Sequence, residues 1–137
     1  MLVPGGIGRL QVIDDPVFLG FLAEYCASVG YVTSVCTGSA LLAASGVLDG
    51  YRATSNKRSF AWVREQGPNV EWVPEARWVV DRNRWTSSGV AAGIDMALAL
   101  IGHLHGTEVA QRVADGTEYE WHVDSHWDPF AAKNGLV

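Results

Sequence analysis

Cys36-Thr37-Gly38 stands directly after Tyr31-Val32-Thr33-Ser34-Val35, a run rich in β-branched and aromatic residues, and before a run of small residues that ends at Gly46. The first run favours a strand, and the second a short helix over residues 38–45 that a left-handed glycine closes. A nucleophile at such a junction sits in a sharp turn with its side chain presented outward, the layout of a nucleophile elbow, and Gly38 and Ser39 let the helix pack closely beneath it. A sulfur at the amino end of a helix also feels the positive end of the helix dipole and nearby amides, which favour thiolate over thiol. Cys36 is therefore the candidate nucleophile.

Attack by a thiolate builds negative charge on the substrate, and backbone N–H groups can hold it. Two sources are available: the glycine-rich turn at Gly5-Gly6 and the amide of Thr37. Cys26 has neither a glycine-rich turn nor a strand before it; it lies beside the apolar face of a helix and reads as packing. His122 and His126, four residues apart, resemble half of a zinc motif, but no second pair accompanies them, and Asp124, Pro129 and the nearby tryptophans describe an irregular aromatic segment. His103 and His105 stand near a helix end, where they can act as caps. Asp95 lies within an apolar helix, so a buried polar partner is expected for it. Trp72, Trp78 and Trp85 fall on strands, where aromatic residues fill cores or subunit interfaces. No cofactor or metal site is expected.

The elements that must position Cys36 follow from local signals. Leu2 and Val3 read as the tail of a buried strand running into Pro4-Gly5-Gly6-Ile7-Gly8. Asp15 and Pro16 open a helix, the first as its cap and the second at its first position, and Val17, Phe18, Phe21, Leu22 and Tyr25 keep helical spacing to Gly30. A turn at residues 48–50, a strand at 51–54, a helix capped by Ser55 or Asn56 and running to Gly67-Pro68, and a strand at 70–73 come next. Residues 76–80 and 84–87 form a hairpin about Asp81-Arg82-Asn83, and helices at 90–105 and 107–115 complete the pattern. Alternating strands and helices up to residue 67 predict a parallel sheet covered on both faces.

The 137 residues suffice for a single domain, residues 1–137, around one core. The net charge of -5, with ten scattered Lys and Arg, leaves no basic stripe for nucleic acid. The apolar stretch at residues 90–104, interrupted by Asp95 and His103, reads as a buried helix and not as a membrane span. With no signal-peptide pattern at the start and only two cysteines, a cytoplasmic protein with free thiols is expected.

Several motifs together resemble the ThiJ/PfpI branch of the class I glutamine amidotransferase-like superfamily. They are Val3-Pro4-Gly5-Gly6, Val35-Cys36-Thr37-Gly38-Ser39, Gly46-Val47-Leu48-Asp49-Gly50-Tyr51-Arg52-Ala53-Thr54, Thr86-Ser87-Ser88-Gly89-Val90 and Ala92-Gly93-Ile94-Asp95-Met96-Ala97-Leu98. Within that family the chain looks most like the isocyanide hydratase-like group and the related domains fused to AraC-type regulators. The resemblance implies a flavodoxin-like α/β three-layer sandwich with a mostly parallel sheet, usually dimeric. It implies Cys36 as nucleophile, Thr37 assisting at the thiolate or in the oxyanion hole, and Gly6 donating a backbone N–H. Family members carry a further strand and helix before the Pro-Gly-Gly turn, and an acidic residue near that first strand contacts the cysteine. The chain is thus expected to be N-terminally truncated relative to the family, and Asp14 and Asp15, which fit a helix cap, do not replace that residue.

Two functions follow from this reading. One is a cysteine-dependent hydro-lyase acting on a small electrophilic substrate, isocyanide hydratase-like. The other is a non-catalytic or metabolite-sensing domain like those of AraC-type regulators. The expected partners are a small molecule and a second copy of the chain, with neither nucleic acid nor membrane.

Overall fold

The computed structural model describes residues 1–137. The chain runs through β1 (Leu2–Val3), α1 (Arg9–Val12), α2 (Pro16–Ser28), β2 (Val32–Ser34), α3 (Gly38–Ala44) and β3 (Arg52–Ala53). A 3-10 turn (Lys57–Ser59) then leads into α4 (Phe60–Glu65), β4 (Glu71–Trp72), β5 (Trp78–Asp81) and β6 (Arg84–Ser87). Three helices follow: α5 (Val90–His105), α6 (Thr107–Gly116) and α7 (Pro129–Lys133).

The main sheet has four strands in the order β1-β2-β6-β5. β1 pairs parallel to β2, β2 parallel to β6, and β5 antiparallel to β6, so the sheet is mostly parallel. Register decides what each face carries, because side chains alternate along a strand. Thr33 lies opposite Trp85, and Trp85 joins Trp78 and Met96 in a small core under α5. Val32 turns to the other face and the larger core, which holds Val3, Leu22, Cys26 and Leu42 from β1, α2 and α3. Helices thus cover both faces, giving the expected α/β three-layer architecture. β3 and β4, two residues each, pair with one another in a separate parallel ribbon.

The local signals explain the helices. Asp15 Oδ1 accepts from the amides of Val17 at 2.9 Å and Phe18 at 3.4 Å, and Pro16 occupies the first helical position. α3 ends at Gly46, whose φ of 75° lets the amides of Gly46 and Val47 reach back to the carbonyls of Ala43 and Leu42, both at 2.9 Å. Asn56, not Ser55, caps the turn at residues 57–59 by accepting from Ser59 N–H at 3.1 Å. Two short helices differ from the expectation. α1 follows the glycine-rich turn at residues 4–8 and occupies residues 9–12, for which no element is expected. α7 lies in the segment read as irregular, where Asp128 and Pro129 repeat the cap signature of Asp15 and Pro16. His103 does not cap α5; its Nε2 meets the hydroxyl of Tyr31 at 3.0 Å, because the last turn of α5 lies beside the start of β2. No helix is long and apolar enough to cross a membrane.

Candidate active site

The elbow begins where β2 ends. Gly38 N–H donates to the Val35 carbonyl at 3.1 Å, closing a turn with Cys36 and Thr37 at its centre. Cys36 has φ 58°, a left-handed conformation that costs a side-chain-bearing residue about 1–3 kcal/mol and persists only where its surroundings hold it. Here the Cys36 carbonyl accepts from Ser55 Oγ at 3.0 Å and Ser39 Oγ at 3.3 Å, one from the loop after β3 and one from α3. The carbonyl is held from two sides, and the thiol is left half-exposed.

Close backbone approach requires glycine around this turn. A Cβ on Gly5 would stand 2.7 Å from both the amide nitrogen and the Oγ1 of Thr37 and 3.0 Å from Cys36 Cβ. One on Gly38 would collide with the carbonyl of Val3, and one on Gly93 would come within 2.6 Å of the Val35 side chain. The loop after β1, α3 and α5 therefore all pack closely around the elbow through glycines. These packing glycines account for three of the motifs in which the sequence resemblance lies.

The structure brings together the three residues singled out from the sequence. Thr37 is buried, and its Oγ1 accepts from Gly6 N–H at 3.2 Å. Gly6 reaches this position with φ 119°, open to glycine, and its carbonyl accepts from Arg9 Nη1 at 2.8 Å. The Gly6 amide is thus directed at the Thr37 hydroxyl, whose own proton remains free to donate. The amides of Cys36 and Thr37 donate to no acceptor in the chain, leaving two N–H groups at the turn that carries the thiol. Asp15 is spent on its helix cap. Ser55, read as a possible cap, supports the elbow instead; its small polar side chain beside Thr54 was the only signal.

The other candidates fall outside this turn. Cys26 is buried in the main core, and that burial raises its thiol pKa against the smaller opposing pull of Arg84 and the N-terminal amine. Asp95 is completely buried and receives Arg77 Nη2 at 2.6 Å, Arg77 Nε at 2.7 Å, the Tyr119 hydroxyl at 3.1 Å and the His122 amide at 3.0 Å. Its partners are structural, as a carboxylate in an apolar helix demands, and they clamp the segment after α6 onto α5. His122 takes part through its backbone; the His126 ring lies 3.4 Å from Asp124 Oδ1. Trp78 and Trp85 fill the core under α5.

Lys57 carried no sequence signal. It is buried, and its ammonium donates to Thr54 Oγ1 at 2.8 Å and to the Ala76 carbonyl, with Phe60 beneath it at 5.4 Å. Burial lowers its pKa from 10.5 to about 8, against the opposing attraction of Asp128 and Glu75. Because the folded state holds this proton less tightly than the unfolded chain, the penalty is fully present below pH 8 and is relieved as the pH rises toward 10.5. Urea unfolding is expected to show stability rising across that window by up to about 3 kcal/mol more in the wild type than in Lys57→Met.

A sharp turn presenting a half-exposed thiol at the carboxyl end of a parallel strand, in a three-layer α/β domain, defines the class of cysteine-elbow domains. The profile of the DJ-1/PfpI family matches residues 1–103, and the chain belongs to that family. It is 41% identical over 119 residues to the isonitrile hydratase of Pseudomonas putida, covering 85% of this chain and 50% of that protein. It is 37% identical over 122 residues to the HTH-type transcriptional regulator GbdR of Pseudomonas aeruginosa, covering 88% of this chain and 32% of the regulator. Among solved structures, a THiJ/PfpI family protein from Pseudomonas syringae superposes with a TM-score of 0.76 at 35% identity, over 88% of this chain and 50% of that one. The chain thus spans half or less of the length of these curated relatives.

Proposed function

We propose that the chain is a single hydratase-like domain in which Cys36 is the nucleophile and a small electrophilic carbon compound, an isocyanide, is the substrate. The observation that carries this reading is the strained, half-exposed Cys36 beside unpaired amides. The 41% identity to an isonitrile hydratase supports the choice of reaction.

In this mechanism the Cys36 thiolate adds to the terminal carbon of R–N≡C, forming a C–S bond, while that same carbon takes a proton to give the thioformimidate R–N=CH–S. Water then adds across the C=N bond, its oxygen to carbon and one proton to nitrogen, and the C–S bond breaks as the new hydroxyl gives up its proton, releasing the thiolate and the N-substituted formamide. One isocyanide and one water give one formamide. The Thr37 hydroxyl, held as an acceptor by Gly6, is the proton donor to that carbon and regains its proton when the water adduct collapses, and the amides of Cys36 and Thr37 face the charge that develops. The active unit is a homodimer.

Assay of the purified chain with an isocyanide panel tests this. Formamide production is expected, and Thr37→Val should lower kcat by at least about tenfold through loss of the proton donor. No formamide from any member of the panel would contradict the hydratase reading.

A second reading, a metabolite-sensing domain without turnover, is favoured by the match to GbdR, which runs through 88% of this chain. It requires saturable binding of a small molecule, seen as a rise in Tm, with the compound recovered unchanged.

A further inference from the structure

We propose that Arg9 is a positioning residue for the Gly6–Thr37 pair: stacked over the ring of Trp62, its guanidinium fixes the Gly6 carbonyl and so aims the Gly6 amide at the Thr37 hydroxyl. The inference rests on the reading of Thr37 as the proton donor to the substrate carbon.

Packing does not hold Gly6 in place. The residue is exposed, and beyond its chain neighbours no atom lies within 4 Å of where a Cβ would stand. Glycine loses more conformational freedom on ordering than any other residue, so a φ of 119° here needs a specific tether. α1, which follows the turn, buries none of its residues and cannot anchor it. The tether is the Gly6 carbonyl, which accepts from Arg9 N–H at 3.4 Å and from Arg9 Nη1 at 2.8 Å. The guanidinium bond is the shorter and is charge-assisted, hence the stronger of the two. On the other side Gly5 is pressed against Thr37 and Cys36. The peptide that carries the Gly6 N–H therefore has one end packed and the other tethered by Arg9, and its N–H meets Thr37 Oγ1 at 3.2 Å.

Arg9 is not placed for its own stability. It forms no ion pair, and its Nε is buried without a hydrogen-bond partner. An unpaired buried N–H on a charged group is unfavourable, and such a group marks a position set by another requirement. The only hydrogen bond of its side chain is the one to Gly6. Its guanidinium carbon lies 4.8 Å from the centroid of the Trp62 ring, and Trp62, on α4, packs against the main core. The cation thus rests on a fixed platform, and a line of contacts runs from the core through Trp62, Arg9 and Gly6 to the hydroxyl of Thr37. Lysine lacks the planar group that stacks on an aromatic face, so it can replace Arg9 only in part.

Amide hydrogen exchange followed by nuclear magnetic resonance, with steady-state kinetics on an isocyanide, tests the clamp in Arg9→Met and Arg9→Lys. Methionine keeps an unbranched apolar stem over Trp62 and removes the donor. In Arg9→Met the Gly6 amide is expected to exchange at least about tenfold faster than in the wild type, while the amides of Leu22 and Leu42 in the main core keep their rates. kcat should fall about tenfold at unchanged KM, because the proton donor is misplaced and the binding surface is not, and Arg9→Lys should lie between the two. Unchanged Gly6 exchange in Arg9→Met would overturn the proposal, as would equal acceleration of the Gly6 and core amides, or a kcat equal to that of an active wild type. A wild type that makes no formamide would contradict the hydratase reading alone, and Gly6 exchange then decides the clamp by itself.

Discussion

Cys36→Ala is expected to reduce formamide production by at least roughly a thousandfold while leaving the chain folded. The reasoning is that the bond-forming atom is lost while the turn is kept: the carbonyl contacts from Ser39 and Ser55 involve the backbone, and the side chain removed is half-exposed. Cys36→Gly should be equally inactive yet more stable than Cys36→Ala by about 1 kcal/mol, because glycine occupies a φ of 58° without strain. Steady-state kinetics and urea unfolding of the three proteins together check this. A gain in stability with a loss of turnover separates a strained functional residue from one kept for packing.

The largest loss of stability is expected from Asp95. Truncating one member of a buried ion pair leaves the other charge uncompensated, at about 3–5 kcal/mol, a large share of the roughly 5–15 kcal/mol that holds a domain together. Asp95→Ala removes the partner of Arg77 and of the Tyr119 hydroxyl and the His122 amide at once. The double variant Arg77→Met with Asp95→Leu should recover much of that loss, because the uncompensated guanidinium goes with the carboxylate. Burial, with the Asp95 charge beside it, raises the pKa of Tyr119. Loss of that charge should therefore move the tyrosine titration back toward its usual value, which ultraviolet absorbance reads directly.

The contrast between these residues shows what the amino-acid sequence could convey. The elbow was legible because its requirements are local: a β-rich run, a cysteine, a glycine and small residues lie in a row, and the strain at Cys36 follows from that order. α2 and α3 were legible for the same reason, through Asp15-Pro16 and Gly46. The need of Asp95 for a partner could be read from one carboxylate in an apolar helix, but Arg77, Tyr119 and His122 could not be, since long-range packing brings them there. Lys57 gave no sign of burial, because its acceptors at Thr54 and Ala76 come together only when the loop after β4 folds over the turn at residues 57–59. α7 was missed although Asp128-Pro129 carries the same cap chemistry as Asp15-Pro16; its five residues are too few for a periodic apolar face. The pairing of β3 with β4 outside the main sheet was hidden as well, since two-residue strands carry no alternation to read.

The central claim is that the fold makes one of its two thiols a nucleophile, and competitive alkylation read by mass spectrometry tests it most directly. Cys26 is 1% exposed and its thiol is held protonated by burial, whereas Cys36 is presented at the elbow. Limiting iodoacetamide near neutral pH is expected to label Cys36 at least about tenfold faster than Cys26 in the folded chain, with the difference lost in urea. Equal rates in the folded chain, or faster labelling of Cys26, would contradict the account.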